Sequence, residues 1–205
     1  MIEGYYLEYS PICMTTEKLA FKLLIIISLL ADSNLAYRGT LQDISIALGY
    51  SAKPDTARYR RLRAAIEQLE KLDLIKTIKD DNIYTLTLSK SAQKKTIKIA
   101  KNIVNTISNT LMNEKNGHDW SYTLKVLFDI YYRFDIYDRD NNNRYYKEIA
   151  ADLNINPKQV SIAMKQLERF EAVITQKHYR TVGSGDNKEI RRDATTIIPT
   201  AWIKS

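Results

Sequence analysis

Cysteine is almost absent from this chain of 205 residues; Cys13 stands alone. A single thiol cannot close an internal disulfide, and a reducing cytosol is the compartment that this usage fits. Histidine is nearly as scarce. His118 and His178 lie far apart in sequence and neither has a cysteine neighbour, so no metal-ligand spacing can be drawn. There is no GxxxxGK[ST] loop and no nucleophile motif, and the carboxylates are scattered over helical patterns. Tyrosine is abundant at 14, but a nucleophilic tyrosine usually needs a metal-binding histidine cluster beside it. Tyr131-Tyr132 and Tyr145-Tyr146 therefore read as packing residues. These absences lead to an expectation of no catalytic residues, no metal and no cofactor. A long hydrophobic run is lacking too. "LAFKLLIIISLLA", from Leu19 to Ala31, is too short to span a bilayer and contains Lys22. Glu3, Glu8 and Glu17 precede it where a signal peptide would carry positive charge. The expected protein is cytoplasmic, with no membrane partner.

What is present fits a folded chain. Hydrophobic residues make up 44% and charged residues 27%, which is globular rather than disordered composition. The net charge is +7 and the pI is near 9.3. That balance admits a nucleic-acid partner without requiring one, so any binding must rest on local clusters.

Three regions separate by pattern. Residues 1–90 hold a long apolar helix, the short helix "LQDISIALG", the arginine-rich stretch "PDTARYRRLRAAIEQLEKL" and two strands, "LIKTIK" and "IYTLTLS", around Asp80-Asp81-Asn82. Residues 91–119 carry Ile97, Ile103, Ile107 and Leu111 among lysines and read as one amphipathic connecting helix over 91–116. Residues 120–205 repeat the first plan, with helices in "YTLKVLFDIYYRF", "RYYKEIAADLN" and "NPKQVSIAMKQLERFEA". Two strands, "VITQKHYRTVG" and "RRDATTIIP", follow around "SGDNKE".

The repeat can be aligned. Ile44, Leu48, Gly49 and Tyr50 match Ile149, Leu153, Asn154 and Ile155, while Leu69 and Leu72 match Leu167 and Phe170. Glycine and asparagine are the residues that best tolerate a left-handed turn. The first copy carries about seven extra residues in its turn or third helix, because the offset falls between the two blocks. Asn156, Pro157 and Gln159 spell an N-cap, a first helical position and a capping box.

The arginine-rich helix places positive charge in its first turns, where the helix macrodipole is already positive. At 100° per residue, Leu62, Ile66 and Leu69 share the inward face, with Tyr59 nearby. Arg60, Arg61 and Arg63 fan outward and Arg58 lies at the start. In the second copy Val160, Ala163, Met164, Leu167 and Phe170 turn inward. Lys158, Ser161, Ile162, Lys165 and Arg169 turn outward. The second hairpin carries His178, Arg180, Lys188, Arg191 and Arg192 around Gly183 and Gly185, and could reach a DNA backbone. The first hairpin has an acidic turn and should not grip phosphate.

The fold class expected is α+β, mainly α with small β-hairpin wings. Helix, helix, turn, helix and hairpin is the winged helix-turn-helix plan, here twice, joined by an amphipathic helix. "EIAADLNINPKQVSIAMKQLERFEAVI" resembles the helix-turn-helix of many bacterial regulators. "TTIIPTAWI" is similar to the end of winged-helix plasmid replication proteins, whose last strand runs into a Pro-containing tail. The resemblance covers about 160 residues and implies double-stranded DNA binding. The candidate DNA-binding residues are Arg58, Arg60, Arg61, Arg63, Lys158, Ser161, Lys165, Arg169, Arg180, Lys188, Arg191 and Arg192. The first functional reading is a sequence-specific transcriptional regulator, the alternative is a replication initiator of a plasmid or mobile element, and the third is a tandem winged-helix scaffold for proteins. The nearly all-round apolar first helix (residues 16–31) also raises a homodimer, because a surface helix needs only an apolar stripe. The segment "GYYLEYS" could add a strand or arm to that surface.

Overall fold

The apolar run forms α1 (Lys18–Leu30), which has no side-chain cap. Burial holds this helix, since isolated helices of such length are marginal in water. Ala20, Phe21, Leu23, Leu24, Ile25, Ile26, Ile27 and Ser28 are all buried. In the computed structural model, which describes residues 6–89, 97–114, 119–136, 143–182 and 189–200, that cover comes from the chain itself. Cover of α1 therefore does not require the second copy that its all-round apolar character raised. The fold is mixed α+β with small antiparallel sheets, and the chain divides into two compact units, Met1–Ser121 and Tyr122–Ser205.

In the first unit α1 is followed by β2 (Ala36–Thr40), α2 (Leu41–Ala47), α3 (Thr56–Lys71), β3 (Ile75–Asp80) and β4 (Ile83–Leu88). The three strands form an antiparallel sheet in the order β2-β4-β3. β2 was not foreseen in the sequence. It is short and lacks alternation, and it follows a turn in which Asp32 Oδ1 accepts from the Asn34 and Ala36 amides at 2.8 and 3.0 Å. The core gathers Phe21, Leu23, Ile25, Ile27, Ile44, Leu62, Leu69, Ile75 and Leu86, all under 3% exposed. Each such side chain contributes about 1.5–3 kcal/mol on burial.

The reading of residues 91–116 as one helix needs correction. Ile97 lies in β5 (Ile97–Ala100), which pairs antiparallel with β1 (Tyr6–Tyr9), and α4 (Lys101–Asn113) begins only afterwards. Ile97-Lys98-Ile99 alternates with a period of two, and both isoleucines are buried while Lys98 is exposed. That alternation is a strand signal inside a window that also fits a helix. α4 buries Val104, Ile107 and Leu111. β1, the "GYYLEYS" arm, pairs within its own chain, and Tyr9 Oη lies 2.6 Å from Ser28 Oγ of α1. Burial raises the pKa of the Tyr9 hydroxyl well above the usual tyrosine value, against the opposing hydrogen bond to Ser28.

The second unit repeats the order. α5 (Trp120–Ile136) is followed by β6 (Asn143–Arg144), α6 (Tyr146–Asp152), α7 (Pro157–Arg169), β7 (Val173–Val182) and β8 (Glu189–Pro199). The sheet order β6-β8-β7 corresponds to β2-β4-β3 strand for strand. β6, like β2, was missed. Its Arg144 was read as the start of a helix, but it pairs with Thr195 of β8. A charge network locks this region. Asp129, 2% exposed on α5, accepts from Arg133 Nε at 2.9 Å and from Arg144 Nη1 at 2.5 Å. Asp152 on α6 accepts from Arg133 Nη2 at 2.7 Å and also pairs with Arg144. A carboxylate this deeply buried is tolerated only when paired on both oxygens. The first unit has Gly39 and Ala47 where the 105-residue repeat offset puts Arg144 and Asp152, so it lacks this lock.

Before α5, Asp119 Oδ2 lies 2.8 Å from Lys22 Nζ and Oδ1 accepts from the Ser121 amide and hydroxyl. Burial opposes its charge, but the Lys22 hydrogen bond and charge and the Ser121 donors outweigh this and hold its pKa below the usual 3.8. A carboxylate with a lowered folded-state pKa stabilises above its unfolded value and loses that contribution as pH falls through the folded one. Asp119→Asn should cost about 1–2 kcal/mol at pH 7. In urea titrations at several pH values the gap to wild type should narrow below pH 3.8.

Candidate nucleic-acid interface

The third helix of each unit is presented by the turn before it. In both copies the second helix ends in a left-handed residue, Gly49 at φ 83° and Asn154 at φ 50°. In both, the next amide returns to the helix, Tyr50 N–H to Ser45 and Ile155 N–H to Ala150. The expected pairing of Gly49 with Asn154 thus corresponds to one backbone geometry. Gly49 has a second reason to be glycine, because a Cβ there would lie 2.9 Å from Met112 Sδ of α4. The third helices also end alike, with Asp73 and Glu171 left-handed at φ 52° and 53°.

The seven extra residues of the first copy can be placed. The α2–α3 turn is four residues longer than the α6–α7 turn, and α3 is three residues longer than α7. A long turn needs holding, and Arg58 holds it. Its Nη1 donates to Ser45 Oγ at 3.1 Å and to the Ser51 carbonyl at 3.0 Å. Its guanidinium carbon lies 4.8 Å from the Tyr50 ring centroid. Asp55 caps α3 by accepting from the Arg58 amide at 3.0 Å. That backbone hydrogen bond, aided by the nearby Arg58 charge, lowers the Asp55 pKa. Arg58 therefore differs from its neighbours, since its side chain is 16% exposed and committed inside the fold. In sequence Arg58 stands four residues before Leu62, on the side of the inward stripe, which hints at burial but names no partner.

Arg60, Arg61 and Arg63 are exposed, and none has an ion-pair partner among the described residues. Leu62, Ala65, Ile66 and Leu69 are buried beneath them. On α7 the inward set Val160, Ala163, Met164 and Leu167 is buried and Phe170 is half-buried. Lys158 and Lys165 are exposed without ion-pair partners among the described residues, and Ser161 and Ile162 are half-buried beside them. Arg169 is exposed at the C-terminal end, where Nη1 donates to Gln166 at 3.3 Å and the guanidinium lies 5.5 Å from the Phe170 ring. The start of α7 is fixed as the sequence implied. Asn156 Oδ1 accepts from the Lys158 amide at 2.8 Å, and Gln159 Oε1 accepts from the Asn156 amide at 3.2 Å.

The hairpins differ in length. β3 and β4 are joined through Asp81-Asn82, with Asp81 at φ 52°. β7 and β8 pair over most of their length with a register shift between Lys177 and Tyr179. His178 Nε2 lies 2.6 Å from Thr196 Oγ1. The side chains of Arg180, Arg191 and Arg192 and the whole of Lys188 lie outside the described residues, as does the tip with Gly183 and Gly185. Among the described residues no group of three or more His, Cys, Asp or Glu side chains is placed to hold a metal ion, and no helix is long and apolar enough to cross a membrane.

No family model matches the sequence, and no curated protein matches it significantly.

The two kinds of arginine in α3 should separate in denaturation. Arg58→Ala leaves the nearly buried Ser45 hydroxyl without its donor and should destabilise the first unit by about 2 kcal/mol. Arg60→Ala should change stability by less than about 0.5 kcal/mol. Guanidinium unfolding followed by circular dichroism measures both.

Proposed function

We propose that this chain is a tandem winged helix-turn-helix protein that binds double-stranded DNA, with α3 and α7 as recognition helices. The observation that carries this reading is the outward face of each third helix. Arg60, Arg61 and Arg63 on α3, and Lys158 and Lys165 on α7, are free of ion pairs among the described residues. Each helix is seated on its unit by an apolar stripe on the opposite side. The repeated order of helix, strand, helix, helix and hairpin, with the same sheet order, supports the winged-helix assignment. An unpaired guanidinium on an exposed helix is suited to the guanine edge, where a bidentate contact discriminates by about 1–3 kcal/mol.

A sequence-specific regulator is the first reading. The unequal turns and third helices favour an asymmetric site or direct repeats, so a replication initiator is the second. The position of a protected site, in a promoter or in a repeat array, separates them.

Binding to duplex DNA should weaken steeply with salt, with a slope near −0.9 per phosphate neutralised. Arg60→Ala/Arg61→Ala should weaken binding at least about tenfold and flatten the preference for the best DNA over random duplex. Fluorescence anisotropy over a salt series reads both. Weak binding that is the same for all DNA and unchanged in the variant would contradict the proposal and favour a protein-scaffold role.

A further inference from the structure

The first unit has an open cleft of about 300 Å³ between α2, α3 and the β3–β4 hairpin. Arg63 of α3 and Lys79 of β3 both line it, with Tyr59, Asn82, Thr40 and Gln42. On the helical wheel Arg63 leans toward Tyr59 and the hairpin, while Arg61 leans the other way. Neither Arg63 nor Lys79 makes an ion pair among the described residues, and the Lys79 ammonium lies only against the Tyr84 ring, 5.8 Å from its centroid. The carboxylate at the start of α2 is already engaged, as Asp43 Oδ2 accepts from the Thr40 amide and hydroxyl at 2.8 and 2.7 Å. Gln42 is engaged as well, donating to the Ala52 carbonyl at 3.1 Å.

The free donors around this concavity include a guanidinium fork, an ammonium and the Asn82 amide. Two like charges lining one small polar hollow repel each other, and an anion between them offsets that repulsion. A fork and a point charge together match the oxygens of a phosphate ester.

We propose that this cleft is a phosphate-ester site, filled by a backbone phosphate of the duplex that α3 enters. This rests on the DNA-binding reading above and assigns the first hairpin a role that its acidic turn argued against. The acids Asp80 and Asp81 lie at the hairpin tip, and Lys79, one residue earlier, faces the cleft. Arg63 is then a phosphate clamp that sets the depth of α3, and Arg60 and Arg61 are left to read bases.

The test uses the full chain with Arg63→Gln, Lys79→Gln, the double variant, and Lys76→Gln as a control on the same strand outside the cleft. Duplex binding is followed by anisotropy against salt, and thermal unfolding verifies that each variant keeps the wild-type midpoint. Each single cleft variant should reduce the salt slope by about one unit and the double variant by about two, with Lys76→Gln unchanged. A wild-type salt slope that survives in both cleft variants would overturn the proposal and leave the DNA reading standing. If the wild type binds no duplex, the DNA reading fails. Binding of inorganic pyrophosphate, lost in the double variant, would then keep the cleft as a phosphate site for a free ligand, and absence of that binding would overturn it.

Discussion

The Arg58 guanidinium reaches back from the first turn of α3 to Ser45 and Ser51 and lies over Tyr50. That contact joins the end of α2, the long turn and the start of α3 into one piece. Without it, eight residues would separate two helices whose relative placement decides what α3 can present. The second unit meets the same demand by other means. Its turn is half as long, and Asn156, Pro157 and Gln159 fix the helix start locally. The left-handed residue is common to both solutions, and the rest of the turn is free to differ.

Because the turn is held from within, the remaining charges of α3 are released for other work. Positive charge near a helix N-terminus is disfavoured by the macrodipole. Asp55 offsets part of this as the cap, and Arg58 is consumed internally. Arg60, Arg61 and Arg63 remain on an exposed face with no ion pair among the described residues. A polyanion would relieve that excess of positive charge, and the proposed binding would then be strongly salt-dependent. α7 carries less charge but a better-defined start, so the two helices are unlike in both position and chemistry.

How far the sequence could be read depends on the range of the interactions involved. The repeat was legible because its markers are local: Gly49 and Asn154 at the left-handed turn, the capping residues of α7, and the apolar stripes of α3 and α7. β2 and β6 were not legible, because they are short strands defined by their partners β4 and β8 rather than by alternation. Ile97 was misplaced because it was counted with Ile103, Ile107 and Leu111 in a helical pattern, whereas its alternation with Ile99 is settled only by the pairing with β1. The cover of α1 and the Asp129–Arg133–Arg144–Asp152 network depend on residues brought together from separate elements, which no window of sequence contains. Among the candidate interface residues, the exposure of Arg60, Arg61, Arg63, Lys158 and Lys165 followed from helical angle alone. The internal engagement of Arg58 required knowing where the turn runs.

Backbone amide chemical-shift mapping on adding a short duplex tests the central claim most directly. The account predicts that the largest shifts fall along the outward faces of α3, around Arg60, Arg61 and Arg63, and of α7, around Lys158, Ser161 and Lys165, and that they fade as salt is raised. Shifts confined to other surfaces, or none at any duplex concentration, would contradict it.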